Sequence, residues 1–299
     1  MKLMRVSRLL FVPLLISTGF TALPAVHAQS NPDTKVLVIQ REVTKPGKDG
    51  AVHEATESAF IRAVQANKAN IHYIALTSVT GQNRALFISA YPSLAAVDEE
   101  RKHLPAAAAV AMDKAMVSDG EQLSEQSSSV WLRRDDLSTN VAGPPVGMRY
   151  LEVSEYVVKP GHQHEFEELA KKYVEAAKNI PEFHWSAYQL AYGAPGGDPK
   201  GPTYLVLTAL KSGADADAEF GAGKKFMDAV GEDGMKKIAE LESASVASEM
   251  TNLFAVSPKM SIPPDSMVKA EPDFWKPKPS AASTAKKTTT AKPAATTGQ

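Results

Sequence analysis

A histidine next to an aromatic residue occurs twice in this chain, as His72-Tyr73 and as His184-Trp185. Strand alternation would place three further polar or aromatic residues on the face of His184: Ser186, Tyr188 and Tyr192. Such a face could line a polar, aromatic pocket in which the imidazole acts as a base or a ligand. Both histidines could equally be hydrogen-bonded structural residues at strand starts. If a pocket exists, we expect it around His184, because the face of His72 is less polar.

Two charged residues, Arg41 and Glu155, occupy equivalent positions in two similar strands. Each lies on a face that is otherwise aliphatic. A charge among aliphatic side chains is costly unless it is paired. One interpretation is therefore a buried Arg41–Glu155 ion pair inside the fold. The other is that both side chains lie near strand ends and reach water.

Metal and thiol chemistry find little support in the sequence. The chain has no cysteine, which excludes thiol catalysis, cysteine-based zinc sites and iron–sulfur clusters. His162 and His164 are two residues apart at a predicted helix start, so they do not share a face, and no fixed carboxylate completes a ligand set. We therefore predict no metal site and no cofactor from these residues.

An internal repeat organises the chain. Lys45-Pro46-Gly47 ends one apolar strand pattern, and Lys159-Pro160-Gly161 ends another about 114 residues later. Each copy has the pattern strand–helix–strand–strand–helix–strand, over residues 34–139 and 148–261, with a linker at 140–147. This β-α-β-β-α-β order is the ferredoxin-like arrangement, an antiparallel sheet with helices on one face. The other face needs a cover, which the second copy can supply as a pseudo-dimer within one chain.

The first 28 residues have the pattern of a signal peptide. A positive segment precedes an apolar run at residues 9–15, and Val26-His27-Ala28 offers a cleavage site. We predict an exported protein, periplasmic or secreted, with no stable membrane insertion after cleavage. An uncleaved membrane anchor is the alternative.

The C-terminal segment 262–299 is rich in Lys, Pro, Ala and Thr and lacks apolar periodicity, which predicts disorder. It contains six lysines against three acidic residues, whereas the whole chain has a formal net charge of −1. The body of the protein is therefore acidic. An acidic body argues against a nucleic-acid partner.

The repeats resemble the dimeric α/β-barrel superfamily in its fused form, and above all its uncharacterised and NIPSNAP-like members. The resemblance covers residues 34–261. It is carried by the Lys-Pro-Gly openings and by closing strands that are followed by Asp136-Leu137-Ser138 or Lys259-Met260-Ser261. It implies an α+β fold of two tandem ferredoxin-like repeats packed as an intramolecular dimeric α/β barrel. The superfamily includes cofactor-independent monooxygenases, haem enzymes such as chlorite dismutase, isomerases and proteins without known activity.

Two functions are consistent with these observations. One is an exported small-molecule-binding or interaction module whose ligand is a small aromatic molecule. The alternative is a cofactor-independent monooxygenase-like or haem-binding enzyme with its pocket in the second repeat, between the sheet and its helices. Because a fold does not determine an activity, the sequence leaves open whether the protein is an enzyme.

Overall fold

Eight antiparallel strands form the centre of the computed structural model, which describes residues 34–141, 146–194 and 201–276. The strands are β1 (Val36–Thr44), β2 (Ile74–Ser78), β3 (Arg84–Tyr91), β4 (Leu123–Arg133), β5 (Tyr150–Val158), β6 (Ser186–Gly193), β7 (Thr203–Leu210) and β8 (Val246–Val256). They close into one barrel in the order β1-β3-β2-β8-β5-β7-β6-β4.

Eight helices accompany this barrel in the part of the chain that the structure describes. They are α1 (Ala51–Ala66), α2 (Leu94–Lys102), α3 (Ala106–Gly120), α4 (Gln163–Ala177), α5 (Gly213–Gly221), α6 (Gly223–Ser245), α7 (Asp265–Ala270) and α8 (Pro272–Trp275). Helix α1 packs against α3, and α4 packs against α6. Within the described ranges, no helix has the length and apolar character needed to cross a membrane. The predicted α+β class with a strand barrel is confirmed.

The barrel closes at two seams between strands that are distant in sequence. In the first half the strand order is β4-β1-β3-β2, and in the second it is β8-β5-β7-β6. Strand β2 pairs with β8, where Leu76 lies opposite Val256, and β4 pairs with β6, where Trp131 lies opposite Leu190. Both seams are needed for closure, because they join one half to the other.

Strand alternation gives each strand an inward and an outward face. Leu37 and Ile39 of β1 point into the barrel and join a core that also contains Leu151 and Phe254. Tyr156 of β5 belongs to the other face and packs with the residues of α4 and α6. The described cavities form on this outward, helix-facing side.

The segment after β8 corrects the prediction that disorder begins at residue 262. Ile262 forms a β-bridge with Tyr73, and Met267 of α7 and Trp275 of α8 are buried in the barrel core. Glu271 accepts hydrogen bonds from the Gly147 amide at 2.6 Å and from Arg149 Nη2 at 2.7 Å. The prediction is wrong for residues 262–276, and its remainder, 277–299, lies outside the described residues.

Trp275 should contribute measurably to stability although it lies near the end of the described chain. Because its side chain is buried in the barrel core, Trp275→Ala should lower the free energy of unfolding by about 3 kcal/mol. This is the lower end for tryptophan-to-alanine substitutions in a core, because a terminal helix can partly detach. Chemical denaturation measures this. Asp273→Ala, an exposed change in the same short helix, is the control. Equal effects of the two substitutions would contradict the prediction.

Candidate functional site

An aromatic cavity of about 170 Å³ lies in the second half, between the outward face of β5–β7 and helices α4, α5 and α6. Its aromatic walls include Tyr156, Phe166, Tyr173, Phe183, Trp185 and Tyr204. We call this space the aromatic cavity. It lies where the sequence analysis expects a pocket, between the second sheet and its helices.

Ring contacts between neighbouring elements shape the aromatic cavity. Phe166 of α4 lies 4.6 Å from the Tyr204 ring and 5.7 Å from the Tyr156 ring, measured between ring centroids. The polar tips of the rings are already bonded. Trp185 Nε1 donates to the Leu137 carbonyl at 2.8 Å, and Tyr204 Oη donates to Glu167 at 2.8 Å. The ring faces therefore remain to contact a ligand.

An ion pair holds Tyr204 in the wall of the aromatic cavity. Arg134 Nη1 donates to Glu167 Oε1 at 2.7 Å, and this bond, more than any other contact, lowers the pKa of Glu167 to about 2. Burial and the bond to Glu167 raise the pKa of Tyr204. Glu167 is thus ionised and Tyr204 neutral at ordinary pH, which fixes the direction of this hydrogen bond.

The residues predicted to form the pocket lie elsewhere. His184 Nε2 is 2.8 Å from the Ala209 carbonyl, Tyr188 is buried in the barrel core, and Tyr192 is 64% exposed. Ser186 is half-buried, and His72 Nε2 is 3.3 Å from Asn70 Oδ1. None of these five residues lines the aromatic cavity. The same strand contributes Trp185 and Ala187 from its other face.

Arg41 and Glu155 both point toward the barrel interior, but the direct partners of Arg41 are different. Its guanidinium donates to Glu125 and, at 3.3 Å, to Gln82 Oε1. Burial raises the pKa of Glu155, and the charges of Arg41 and Arg84 oppose this rise. Glu155 therefore lies in the field of two arginines at one end of the barrel.

A second group of functional side chains lies in the first half, and the sequence analysis did not identify it. This acid–histidine cluster consists of Glu42, His53, Glu57 and Asp119. His53 Nε2 is 2.9 Å from Glu42 Oε2, 3.6 Å from Asp119 Oδ1 and 4.0 Å from Glu57 Oε1. The four side chains are only 2–8% exposed.

Three elements bring the acid–histidine cluster together. Glu42 lies on the outward face of β1, and His53 and Glu57 lie one turn apart on the same face of α1. Asp119 comes from the last turn of α3 and accepts a hydrogen bond from Thr56 Oγ1. The His53-x-x-x-Glu57 spacing was visible in the sequence, but their proximity to Asp119 depends on how α1 packs against α3.

Burial of like charges changes the protonation of this cluster. Burial, with the charges of Glu42 and Asp119, raises the pKa of Glu57 to about 9. The pKa of Asp119 is also raised, chiefly by burial, although Thr56 and His53 oppose the rise. At neutral pH Glu57 therefore retains a proton that an exposed carboxyl group would have lost. One imidazole nitrogen and several carboxylate oxygens could also hold a divalent cation.

A smaller cavity of about 160 Å³ adjoins the acid–histidine cluster. Glu42, Glu57 and Asp119 line it together with Gln40 and Tyr73. We call it the acidic cavity. His162 and His164, from which the sequence analysis predicts no metal site, are not part of it. His162 pairs with Glu165 at 3.4 Å at the start of α4, and His164 is exposed there.

Comparison with known proteins finds solved structures with low sequence identity and partial structural similarity to this chain. No family model matches the sequence, and no curated protein matches it. An anthrone oxidase-like protein aligns at 13% identity and a TM-score of 0.47, over 76% of this chain and 93% of that one. A protein of Lactobacillus acidophilus NCFM, provisionally named a monooxygenase, aligns at 11% identity and a TM-score of 0.43, over 78% of this chain and 100% of that one. A mutant chlorite dismutase of Candidatus Nitrospira defluvii aligns at 10% identity and a TM-score of 0.44, over 79% of this chain and 95% of that one. The similarity to NIPSNAP-like proteins stays a prediction.

Haem, which the resemblance leaves open, does not fit the aromatic cavity. Protein haem is held by histidine, cysteine, methionine or tyrosine. The described residues that line the aromatic cavity include no histidine or methionine, and two of its three tyrosines, Tyr156 and Tyr204, donate their hydroxyl groups to Glu249 and Glu167. The volume of about 170 Å³ is also far smaller than a macrocycle requires.

Stability should fall with rising pH because of Glu57. Its pKa is about 9 in the folded protein, against an ordinary value of 4.5, so the folded chain keeps a proton that the unfolded chain releases. The contribution of the protonated Glu57 to the free energy of unfolding is complete below about pH 4.5. It is lost as the pH rises toward 9, by up to about 1.4 kcal/mol per pH unit. Glu57→Gln should flatten the decline.

Denaturation midpoints and unfolding free energies between pH 5 and pH 9, measured with a chelator present, test this expectation. Glu54→Gln is the matched control, because Glu54 is on the same helix and pairs with Lys259 at the surface. An unchanged pH profile in Glu57→Gln would contradict the assignment of a retained proton.

Proposed function

We propose that this protein is an exported module that binds a small, largely apolar aromatic molecule in the aromatic cavity. The observation that carries the proposal is the aromatic cavity itself, which lies between a sheet and helices α4, α5 and α6. Concave, mostly apolar sites with a few polar groups are typical of small-molecule binding. Export rests on the signal-peptide pattern of residues 1–28, which lie outside the described residues.

The size and lining of the aromatic cavity define the ligand class. An apolar cavity of ~150 Å³ is large enough for benzene, so about 170 Å³ accommodates a single ring or a compact pair of rings. Aromatic walls favour offset or edge-on contact with another ring. Ser154 and Thr208 supply hydroxyl groups in the wall. A phenol or an indole therefore combines the required ring with one polar group.

An enzymatic role is the second candidate, and one observation favours it. Glu152 and Glu219 place carboxylates in a wall that is otherwise mainly apolar. A carboxylate in such a setting can remove a proton from a ring-activated substrate, and the resulting carbanion can react directly with dissolved oxygen. This is the reaction class of a cofactor-independent monooxygenase. Oxygen uptake that depends on both an aromatic substrate and Glu152 would favour it over simple binding.

Filling the aromatic cavity with a larger side chain should weaken ligand binding. Ala170 of α4 lines the cavity, so Ala170→Phe would occupy the space with a ring and weaken binding of phenol, indole or 1-naphthol at least about tenfold. Isothermal titration calorimetry measures the affinity, and a thermal melt verifies folding. Ala218→Phe adds the same side chain at an exposed position of α5 and should bind as the parent does. Absence of binding in the parent, or unchanged binding in Ala170→Phe, would reject the proposal.

We also propose that the barrel is an internal pseudo-dimer of two ferredoxin-like repeats. Its support is the equivalent strand order of the two halves and their joining at the β2–β8 and β4–β6 seams. Residues 34–139 alone would leave β2 and β4 as free edges, which favour pairing with another chain. This fragment should therefore dimerise or aggregate, whereas residues 34–276 should be monomeric by light scattering. A stable monomer of the fragment would contradict the proposal.

A further inference from the structure

The acid–histidine cluster carries an inference that is independent of the aromatic cavity. We propose that Glu42, His53, Glu57 and Asp119 form a divalent-metal site, with zinc or a similar first-row cation bound at the wall of the acidic cavity. The ligand-capable atoms of the four residues lie within 4.8 Å of one another. No other element of the structure must move to bring them together.

Distances within the cluster match those between ligands of one ion. Zinc ligands at ~2.1 Å in a tetrahedral site lie roughly 3.4 Å apart. His53 Nε2 is 2.9, 3.6 and 4.0 Å from the nearest oxygens of Glu42, Asp119 and Glu57. Small side-chain rotations would bring these atoms to equal distances from a central ion. In the metal-free cluster Nε2 is hydrogen-bonded to Glu42 Oε2, and both atoms would instead bind the metal.

Without a cation, the cluster can reduce its negative charge only through His53 or by keeping protons on its carboxyl groups. Within the described part of the chain, His53 is the one basic side chain within 4 Å of these three carboxyl groups. Buried carboxylates are costly unless they are paired, protonated or bound to a metal. A divalent ion would supply two positive charges where the protein supplies at most one.

A separate observation points to a ligand on the cavity side. Tyr73 is only 7% exposed, and its hydroxyl group is buried without a hydrogen-bond partner among the residues that the structure describes. Tyr73 lines the acidic cavity together with Glu42, Glu57 and Asp119. A buried hydroxyl of this kind normally has a partner. Water or a substrate atom on the metal would provide it, as expected for a site that keeps an open position.

The donor set favours a first-row transition metal or zinc over calcium or magnesium. Ca²⁺ and Mg²⁺ prefer oxygen ligands alone, whereas an imidazole nitrogen suits zinc, copper, iron and nickel. His53 is the central residue of the cluster, so the site should prefer Zn²⁺ to Mg²⁺. The Phe87 ring lies edge-on to the imidazole at 6.3 Å and helps to fix its plane.

Zinc titration of the full chain without an added histidine tag tests the proposal. Calorimetry at pH 8 should show one Zn²⁺ per chain, with no comparable binding of Mg²⁺, and bound zinc should raise the melting temperature. Asp119→Asn and Glu57→Gln keep the side-chain shape and should each weaken zinc binding at least about tenfold, as losses around metal sites do. Glu54→Gln is the control on α1 and should bind as the parent does.

The outcomes separate this site from other histidines. If the parent binds no zinc, or if Asp119→Asn and Glu57→Gln bind it as tightly as Glu54→Gln, the proposal is overturned. Retained zinc binding in these variants, lost instead in His162→Ala, would place the metal at the start of α4. A melting temperature of Glu57→Gln that matches or exceeds the zinc-free parent shows that its lost affinity does not result from unfolding.

Discussion

Closure of the barrel is the constraint on which the rest of this structure depends. It is achieved only where β2 meets β8 and β4 meets β6, so neither half can complete it alone. Closure pairs every strand on both sides and gives the sheet one inward and one outward face. The inward face forms a common core, while the outward face is covered by helices. Both cavities lie on the outward face, which leaves the barrel interior free to provide stability.

Equivalent positions in the two halves carry side chains of different chemical type. Gln40 and Glu42 of β1 correspond to Ser154 and Tyr156 of β5, and each pair lines the cavity of its own half. Across the neighbouring strand, Glu42 lies opposite the small Ala85, whereas Tyr156 lies opposite another tyrosine. A carboxylate beside a small residue leaves space for further polar groups. Two opposed rings instead create an aromatic wall.

Strand alternation and helix periodicity in the sequence predicted two β-α-β-β-α-β units, and the resemblance to the dimeric α/β-barrel superfamily added the barrel and a pocket beside the second sheet. These patterns could not determine which face of β6 meets the helices. The sequence therefore predicts a pocket around His184, whereas the neighbouring Trp185 lines the cavity. The cluster of Glu42 and Asp119 was also beyond local patterns, because packing of α1 on α3 brings these residues together. Trp275 was missed for a simpler reason: a four-residue helix is too short to show periodicity.

The β2–β8 seam has a consequence for the order in which the molecule can assemble. A chain that emerges from its N-terminus presents β2 long before its outer partner β8, residues 246–256, has appeared. Throughout that interval an open strand edge is accessible to other chains. Pairing between such distant segments is slow, because the intervening loop must close first. Until β8 is made, the first half is therefore exposed to pairing with a neighbouring chain in place of its own last strand.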